Sequence, residues 1–481
     1  MGYDIVFKDV RLVDGSGKPA RAADLAVEGD RIARIDAPGL IPTGDARHVI
    51  DGQGAVLAPG FIDTHTHDDR AVLIDAEMMA KISQGVTTVV TGNCGISLAP
   101  LTLSKPPPAP LNLLGDQTSF VFESFADYAE AIAHTQPAVN VAALIGHGTL
   151  RVRTMDDITR PATPTEIDKM RRLLRQSLAE GAIGFSTGLF YPINEAADAD
   201  EVVALAELLA DFNGIYATHM RDEGRGVMDS IEETILTAKR ANTAAVISHH
   251  KCAGPENWGR SVETLAKIAA AAKTQPLGLD AYPYAASSTV LNPKYVRDDI
   301  RIMVSWSDAV PEAAGRELSE IARDWGCTAK EAAERLQPAG AIYFQMDEAD
   351  VRRILAFPLT MIGSDGLPHD RHPHPRLWGT FTRVLGYYCR EEGLFPLEEA
   401  VRKMTGLPAE RFGLSERGYL REGYAADLVL FDPLSVRDCA TFESPREISE
   451  GILCVVVNGA LAWRPGDEHV QRHGRLLRHA V

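Results

Sequence analysis

The chain is poor in paired sulfur, in positive charge and in long apolar runs, and each shortage removes a class of function. Its six cysteines stand at 94, 252, 327, 389, 439 and 454. None forms a Cys-x-x-Cys pair, so neither a disulfide framework nor a structural zinc module is readable. Lys and Arg total 49 against 66 Asp and Glu, a net charge of −17. That balance speaks against nucleic acid or an anionic membrane as a partner, and an anionic ligand would need a local cationic pocket. No apolar run approaches the roughly 20 residues that span a bilayer. The opening Met-Gly-Tyr-Asp-Ile-Val has no basic stretch leading into an apolar one, so no secretory leader is expected. The expectation is a cytoplasmic enzyme acting on a small molecule.

At 481 residues the chain exceeds one ordinary domain of about 100–200 residues, and an α/β barrel of about 250 or more fits within it. Residues 3–50 read as short β-strands separated by Asp14-Gly15 and Gly29-Asp30, a unit too small to bury a core alone. Further strand patterns at 426–431 and 454–463 offer it a partner. The two ends are therefore expected to combine into one β-sandwich, 1–54 with 415–481. Between them, apolar segments at 55–63, 85–94, 139–145, 182–187, 214–219, 244–249, 276–284 and 359–365 alternate with helical patterns. One helix is marked in full: Thr163-Pro164-Thr165-Glu166 is a capping box with Pro at the first helical position, followed by Ile167, Met170, Leu173, Leu174 and Leu178 at helical spacing. Eight apolar strands with intervening amphipathic helices predict a (β/α)8 barrel over 55–414. Residues 285–350 are too long for one crossover and predict an insertion at the barrel mouth.

Active sites of such barrels lie at the carboxyl ends of the strands. The first apolar strand stops at His65-Thr66-His67. Strand alternation puts the two imidazoles on one face roughly 7 Å apart, a spacing that can hold one cation. A bare His-x-His is more often two surface histidines, so the other strand ends decide. The second ends at Cys94, the fifth at His219, the sixth at His249 and the eighth at Asp365. His250 points away from His249 by strand parity, and His369, His372 and His374 are broken up by prolines; both groups read as packing and loop. Four histidines, a thiol and a carboxylate at one end of one barrel make a metal site.

The Gly60-Phe61-Ile62-Asp63-Thr64-His65-Thr66-His67 segment resembles the first-strand signature of the amidohydrolase superfamily. The fourth strand, 182–189, has no lysine to carboxylate, and Thr91-Gly92-Asn93-Cys94-Gly95 supplies a thiolate instead. That departure resembles the D-aminoacylase (N-acyl-D-amino-acid deacylase) family. The likeness runs through His219, Ser248-His249-His250-Lys251, Asp280-Ala281-Tyr282-Pro283-Tyr284, Gly363-Ser364-Asp365-Gly366 and His374-Pro375-Arg376. It implies zinc-dependent hydrolysis of N-acyl-D-amino acids. It further implies a tight zinc on Cys94, His219 and His249, and a weaker second position near His65 and His67 that Cys94 could bridge. Asp365 would be the general base, with His67 assisting at the carbonyl oxygen. Lys251, which shares strand parity with His249, and Arg376 would bind the substrate carboxylate, with Tyr282 and Ser288 resembling the family's remaining contacts. A cyclic amidohydrolase of the dihydropyrimidinase or hydantoinase type is the nearest alternative.

Side-chain preference is the open part. Lys294 and Arg297 open the insertion. If they face the pocket, they favour an acidic D-amino acid, glutamate before aspartate. If they pair with Asp298 and Asp299, an apolar side chain is equally compatible.

Overall fold

The computed structural model describes residues 2–479. Eight parallel strands form the barrel: Phe61–Asp63, Val86–Thr91, Asn140–Gly146, Gly184–Gly188, Ile215–His219, Ala244–Ile247, Leu277–Ala281 and Thr360–Ile362. They are ordered in space as in sequence. Nearly every residue in them is buried, as parallel strands covered by helices must be. The first and last strands meet at a thin seam. There Thr64 N donates to Ile362 O at 3.4 Å and Asp365 N to His65 O at 2.8 Å, with a parallel bridge between Thr66 and Gly366. The helix Pro164–Ala179 carries the capping box read from the sequence, Thr163 with Glu166. A second box, Ser124 with Asp127, starts Phe125–Thr135.

Both ends of the chain contribute to a separate eight-stranded ladder. Arg31–Asp36, Arg21–Glu28, Ile5–Leu12, Val56–Pro59, Leu428–Phe431, Ile452–Val457 and Ala460–Trp463 follow one another, with His48–Asp51 parallel to Ile5–Leu12. Phe7, Leu25, Leu57, Leu428, Leu430 and Val456 share one apolar core, so the sheet closes over itself. The apolar run that leads to His65 is therefore two strands. Val56–Pro59 pairs with Ile5–Leu12 and Leu428–Phe431, and only Phe61–Asp63 enters the barrel. Residues 55–59 thus belong with the terminal sheet and not with the barrel strand. Gly60 makes the handover possible, because a Cβ there would meet the Thr87 side chain at 2.2 Å.

The inserted segment 285–350 contains the helices Leu318–Asp324 and Ala329–Arg335, whose helical patterns Gly315 to Trp325 and Lys330 to Leu336 are legible in the sequence. It also has an antiparallel sheet that helical patterning did not reveal: Ser287–Val290, Ala339–Phe344 and Arg301–Ser307. Ile302, Val304, Leu318, Ile321, Leu336 and Ala341 form its own small core. Among the described residues no helix is long and apolar enough to cross a membrane.

Candidate metal centre

The strand ends converge as the barrel geometry requires. His65 Nε2 lies 3.2 Å from Cys94 Sγ, which lies 3.3 Å from His249 Nε2. The His219 and His249 rings are 4.4 Å apart between centroids, and those of His65 and His67 5.6 Å. Asp365 Oδ1 is 3.3 Å from His67 Nε2 and 3.6 Å from His65 Nε2. All six residues are buried. Three of them, Cys94 (φ 54°), His249 (φ 34°) and Asp365 (φ 50°), hold the left-handed backbone that non-glycine residues avoid. Such conformations persist where the surroundings over-determine them, and they concentrate at functional sites.

Donor atoms within 4.8 Å of one another form three overlapping triads: His65–Cys94–His249, His65–His67–Asp365 and His219–Glu223–His249. The set Cys94, His219 and His249 is not itself a triad by that measure. Even so, the first and third groups share His249, whose ring lies 4.4 Å from that of His219. Burial alone would raise the Cys94 thiol. The charges of His65 and His249 and hydrogen bonds from His219 and His249 outweigh it and hold the thiol well below its usual range. That direction favours the thiolate, the form that ligates metal. Soft sulfur plus imidazole is a donor set that suits zinc, and inward-facing Nε2 atoms with a single thiolate and a carboxylate fit a divalent cation.

Asp365 is ionised. Burial opposes this, but the Arg376 charge, the His67 hydrogen bond and the charges of His249 and His65 hold it well below the usual carboxylate range. Arg376 Nη2 is 2.9 Å from Asp365 Oδ2 and donates to Ser288 O at 3.1 Å. The Arg376 guanidinium stacks 4.4 Å from the Tyr282 ring centroid. Its Nε and Nη1, the Tyr282 hydroxyl and Ser288 Oγ are buried without hydrogen-bond partners. Such a cluster of unmet donors is costly unless a ligand completes it.

Two residues without a role from sequence are central here. Glu223 accepts from Lys251 Nζ at 2.7 and 2.8 Å and lies 3.0 Å from His249 Nδ1, so Lys251 is paired with a carboxylate at the cavity wall. Asp280 accepts from His249 N at 2.8 Å and lies 3.3 Å from His65 Nδ1. It is the penultimate residue of the seventh barrel strand, so reading the last residues of every strand would have found it; nothing comparable marked Glu223, which lies in a loop. His250 Nε2 meets Thr264 Oγ1 at 2.8 Å, and His374 Nε2 meets Ala286 O at 3.1 Å. Both stay outside the cluster, in keeping with their reading as packing and loop.

One cavity of about 290 Å³ opens over the centre, walled by Leu113, Phe190, Tyr191, Tyr295, Tyr343 and Leu367 on its apolar side. Tyr282, Ser288, Lys251 and Asp365 also line it, whereas Arg376 is fully buried behind Tyr282. Lys294 and Arg297 stand at the cavity wall. Arg297 is held by Glu256 at 2.8 and 2.9 Å and by Asp299 at 2.8 and 2.6 Å. Arg297 is thus paired with carboxylates, with Glu256 where Asp298 was expected, whereas the Lys294 side chain forms no ion pair among the described residues.

The amidohydrolase family model matches residues 48–294 and 328–462. A D-aminoacylase of Alcaligenes xylosoxydans xylosoxydans is 53% identical over 475 residues, 99% of this chain and 97% of that protein. An N-acyl-D-aspartate deacylase of the same organism is 51% identical over 98% of this chain and 95% of its own. The crystal structure of an N-acyl-D-glutamate deacylase from Bordetella bronchiseptica superposes with a TM-score of 0.95 at 45% identity, covering 99% of this chain and 100% of that one. It holds zinc and a phosphonate inhibitor that mimics the reaction's tetrahedral intermediate.

Proposed function

The chain belongs to the amidohydrolase family, and on that premise we propose that it hydrolyses the amide bond of N-acyl-D-amino acids, giving a carboxylate and a free D-amino acid. The observation that carries this reading is the single cavity in which a thiolate–imidazole cluster and an ionised aspartate lie beside a set of unmet donors.

Cys94, His219 and His249 would hold a tight zinc, and His65 and His67 a second, weaker one, with the thiolate between them. Bound there, zinc supplies Lewis acidity, making hydroxide available near neutral pH and stabilising negative charge on the substrate oxygen. Asp365 accepts the proton of the attacking water and returns it to the leaving nitrogen, which cannot depart as an amide anion. His67, 3.3 Å from Asp365, steadies that carboxylate and lies within reach of the acyl oxygen. The substrate carboxylate meets the Tyr282 hydroxyl and Ser288 Oγ, donors on the cavity wall that have no protein partner, and is attracted by the Arg376 charge behind Tyr282. Glu223 accepts from His249 Nδ1 and from Lys251 Nζ, fixing the ring by its far nitrogen.

The side chain accepted is apolar in this reading. Leu113, Phe190, Tyr295, Tyr343 and Leu367 offer hydrophobic wall, the Arg297 charge is spent on Glu256 and Asp299, and Asp222, Glu223 and Glu256 add negative charge to the lining. Of the remaining cations that line the cavity, Lys251 is paired with Glu223 and Arg225 lies 3.5 Å from Glu256. A second carboxylate on the substrate would therefore meet an unpaired charge at Lys294, which is exposed at the mouth. Steady-state kinetics on N-acetyl-D-methionine, N-acetyl-D-glutamate and their L-enantiomers test both parts. The expected order is D-methionine above D-glutamate, with the L-compounds inert. Turnover confined to L-substrates contradicts the reaction, and preference for D-glutamate contradicts the side-chain assignment.

A further inference from the structure

We propose that Lys81, a buried cation outside the metal-binding set, is a positioning residue that fixes the distance between the His65–His67 pair and Asp365. This rests on Asp365 acting as proposed above. The Lys81 ammonium touches both sides of the site. Nζ lies 2.8 Å from Asp63 Oδ2, 3.2 Å from Asp68 Oδ2 and 2.8 Å from Ser364 Oγ. Asp63 and Asp68 bracket the His-x-His pair, and Ser364 immediately precedes Asp365. One ammonium has three hydrogens; here two are donated to Asp63 and Ser364, and Asp68 faces the charge as an ion pair.

All four side chains are buried, and a lysine is fully buried only where such partners retain it. Asp63 completes the clamp through its other oxygen, which accepts from Ser364 N at 2.7 Å and His65 N at 3.4 Å. Asp68 has no hydrogen-bond partner, so the nearby ammonium is what balances its charge. The location adds weight. This is the barrel seam, where the first and eighth strands share few backbone hydrogen bonds, so the side-chain clamp sets the spacing the backbone leaves loose. Lys81 reaches it from the short helix Met79–Ile82, and its side chain does not line the cavity.

Ser364→Ala and Lys81→Met are compared with Lys403→Met, a control at another buried lysine. Its Nζ contacts Phe357 O and Thr360 O, at the opposite end of the eighth barrel strand. With N-acetyl-D-methionine, the first two variants are expected to lose about 10- to 100-fold in kcat with KM within threefold, the signature of displaced reacting groups. In a cobalt titration followed by absorbance, the first equivalent, on Cys94, should bind as in the parent protein. The second should weaken at least tenfold. Lys403→Met should lower the melting temperature and leave kcat and both equivalents unchanged. Where Lys81→Met does not fold, Ser364→Ala, which keeps the Lys81–Asp63 pair, carries the test. Parent-like kcat, KM and cobalt binding in folded Ser364→Ala overturn the proposal. A parent protein that turns over no N-acyl-D-amino acid overturns the proposed function instead, and the cobalt titration still decides the role of Lys81.

Discussion

Arg376 and Asp365 form a buried ion pair, with Nη2 2.9 Å from Oδ2. The proposed base and the proposed anchor for the substrate carboxylate are therefore one electrostatic unit. Asp365→Asn keeps an acceptor for Arg376 while removing the proton acceptor. It should lower kcat by about 10²- to 10⁴-fold with the fold retained, measured at saturating substrate alongside circular dichroism.

Arg376→Lys tests the other half of the pair. A lysine retains the charge but loses the planar fork, so one of its contacts must go. Losing one hydrogen bond to a charged group costs about 1.5–3 kcal/mol, or roughly 10- to 150-fold in kcat/KM. Most of that should appear in KM if the residue binds the substrate carboxylate.

Arg297→Ala should change kcat/KM for N-acetyl-D-methionine less than threefold. Both edges of its guanidinium are occupied by Glu256 and Asp299, and neither carboxylate belongs to the proposed chemistry. A large, selective loss on N-acetyl-D-glutamate would show that the cation reaches substrate after all.

The eight barrel strands and the residues at their ends were legible because a parallel strand declares itself as an apolar run and its last residues face the active site. The split at Gly60 was not legible. Val56–Pro59 and Phe61–Asp63 are both apolar, and only the partners on either side, Leu428–Phe431 and Val86–Thr91, assign them to different sheets. The sheet of the insertion was hidden for a related reason, since its strands pair at long range across two helices. Glu223 escaped because its role depends on a loop bringing it to Lys251 and His249, which no spacing encodes. Arg297 was placed near the pocket from its neighbours in sequence, but the partner that neutralises it, Glu256, is 41 residues away.

A buried network remote from the chemistry gives a pH prediction. Glu201 accepts from His147 Nε2 at 2.9 Å, from Ala162 N at 3.0 Å and from Arg151. Burial opposes its ionisation, but the hydrogen bond and charge of His147, with those of Arg151, hold its pKa at about 2 against an ordinary 4.5. A carboxylate lowered on folding contributes stability that is fully present above its unfolded pKa and is lost as pH falls through the folded one. Glu201→Gln should therefore be less stable than the parent by roughly 3 kcal/mol near pH 6, with the gap narrowing between about pH 4.5 and 2. Urea denaturation at several pH values checks it.

The most direct measurement is zinc reconstitution of chelated protein, with hydrolysis of N-acetyl-D-methionine as the readout. Protein stripped of metal should be inactive, regain turnover as the first equivalent of zinc binds, and fail to recover when Cys94 is replaced by Ala. Full turnover in the stripped protein, or recovery in Cys94→Ala equal to the parent, would contradict a thiolate-held catalytic metal.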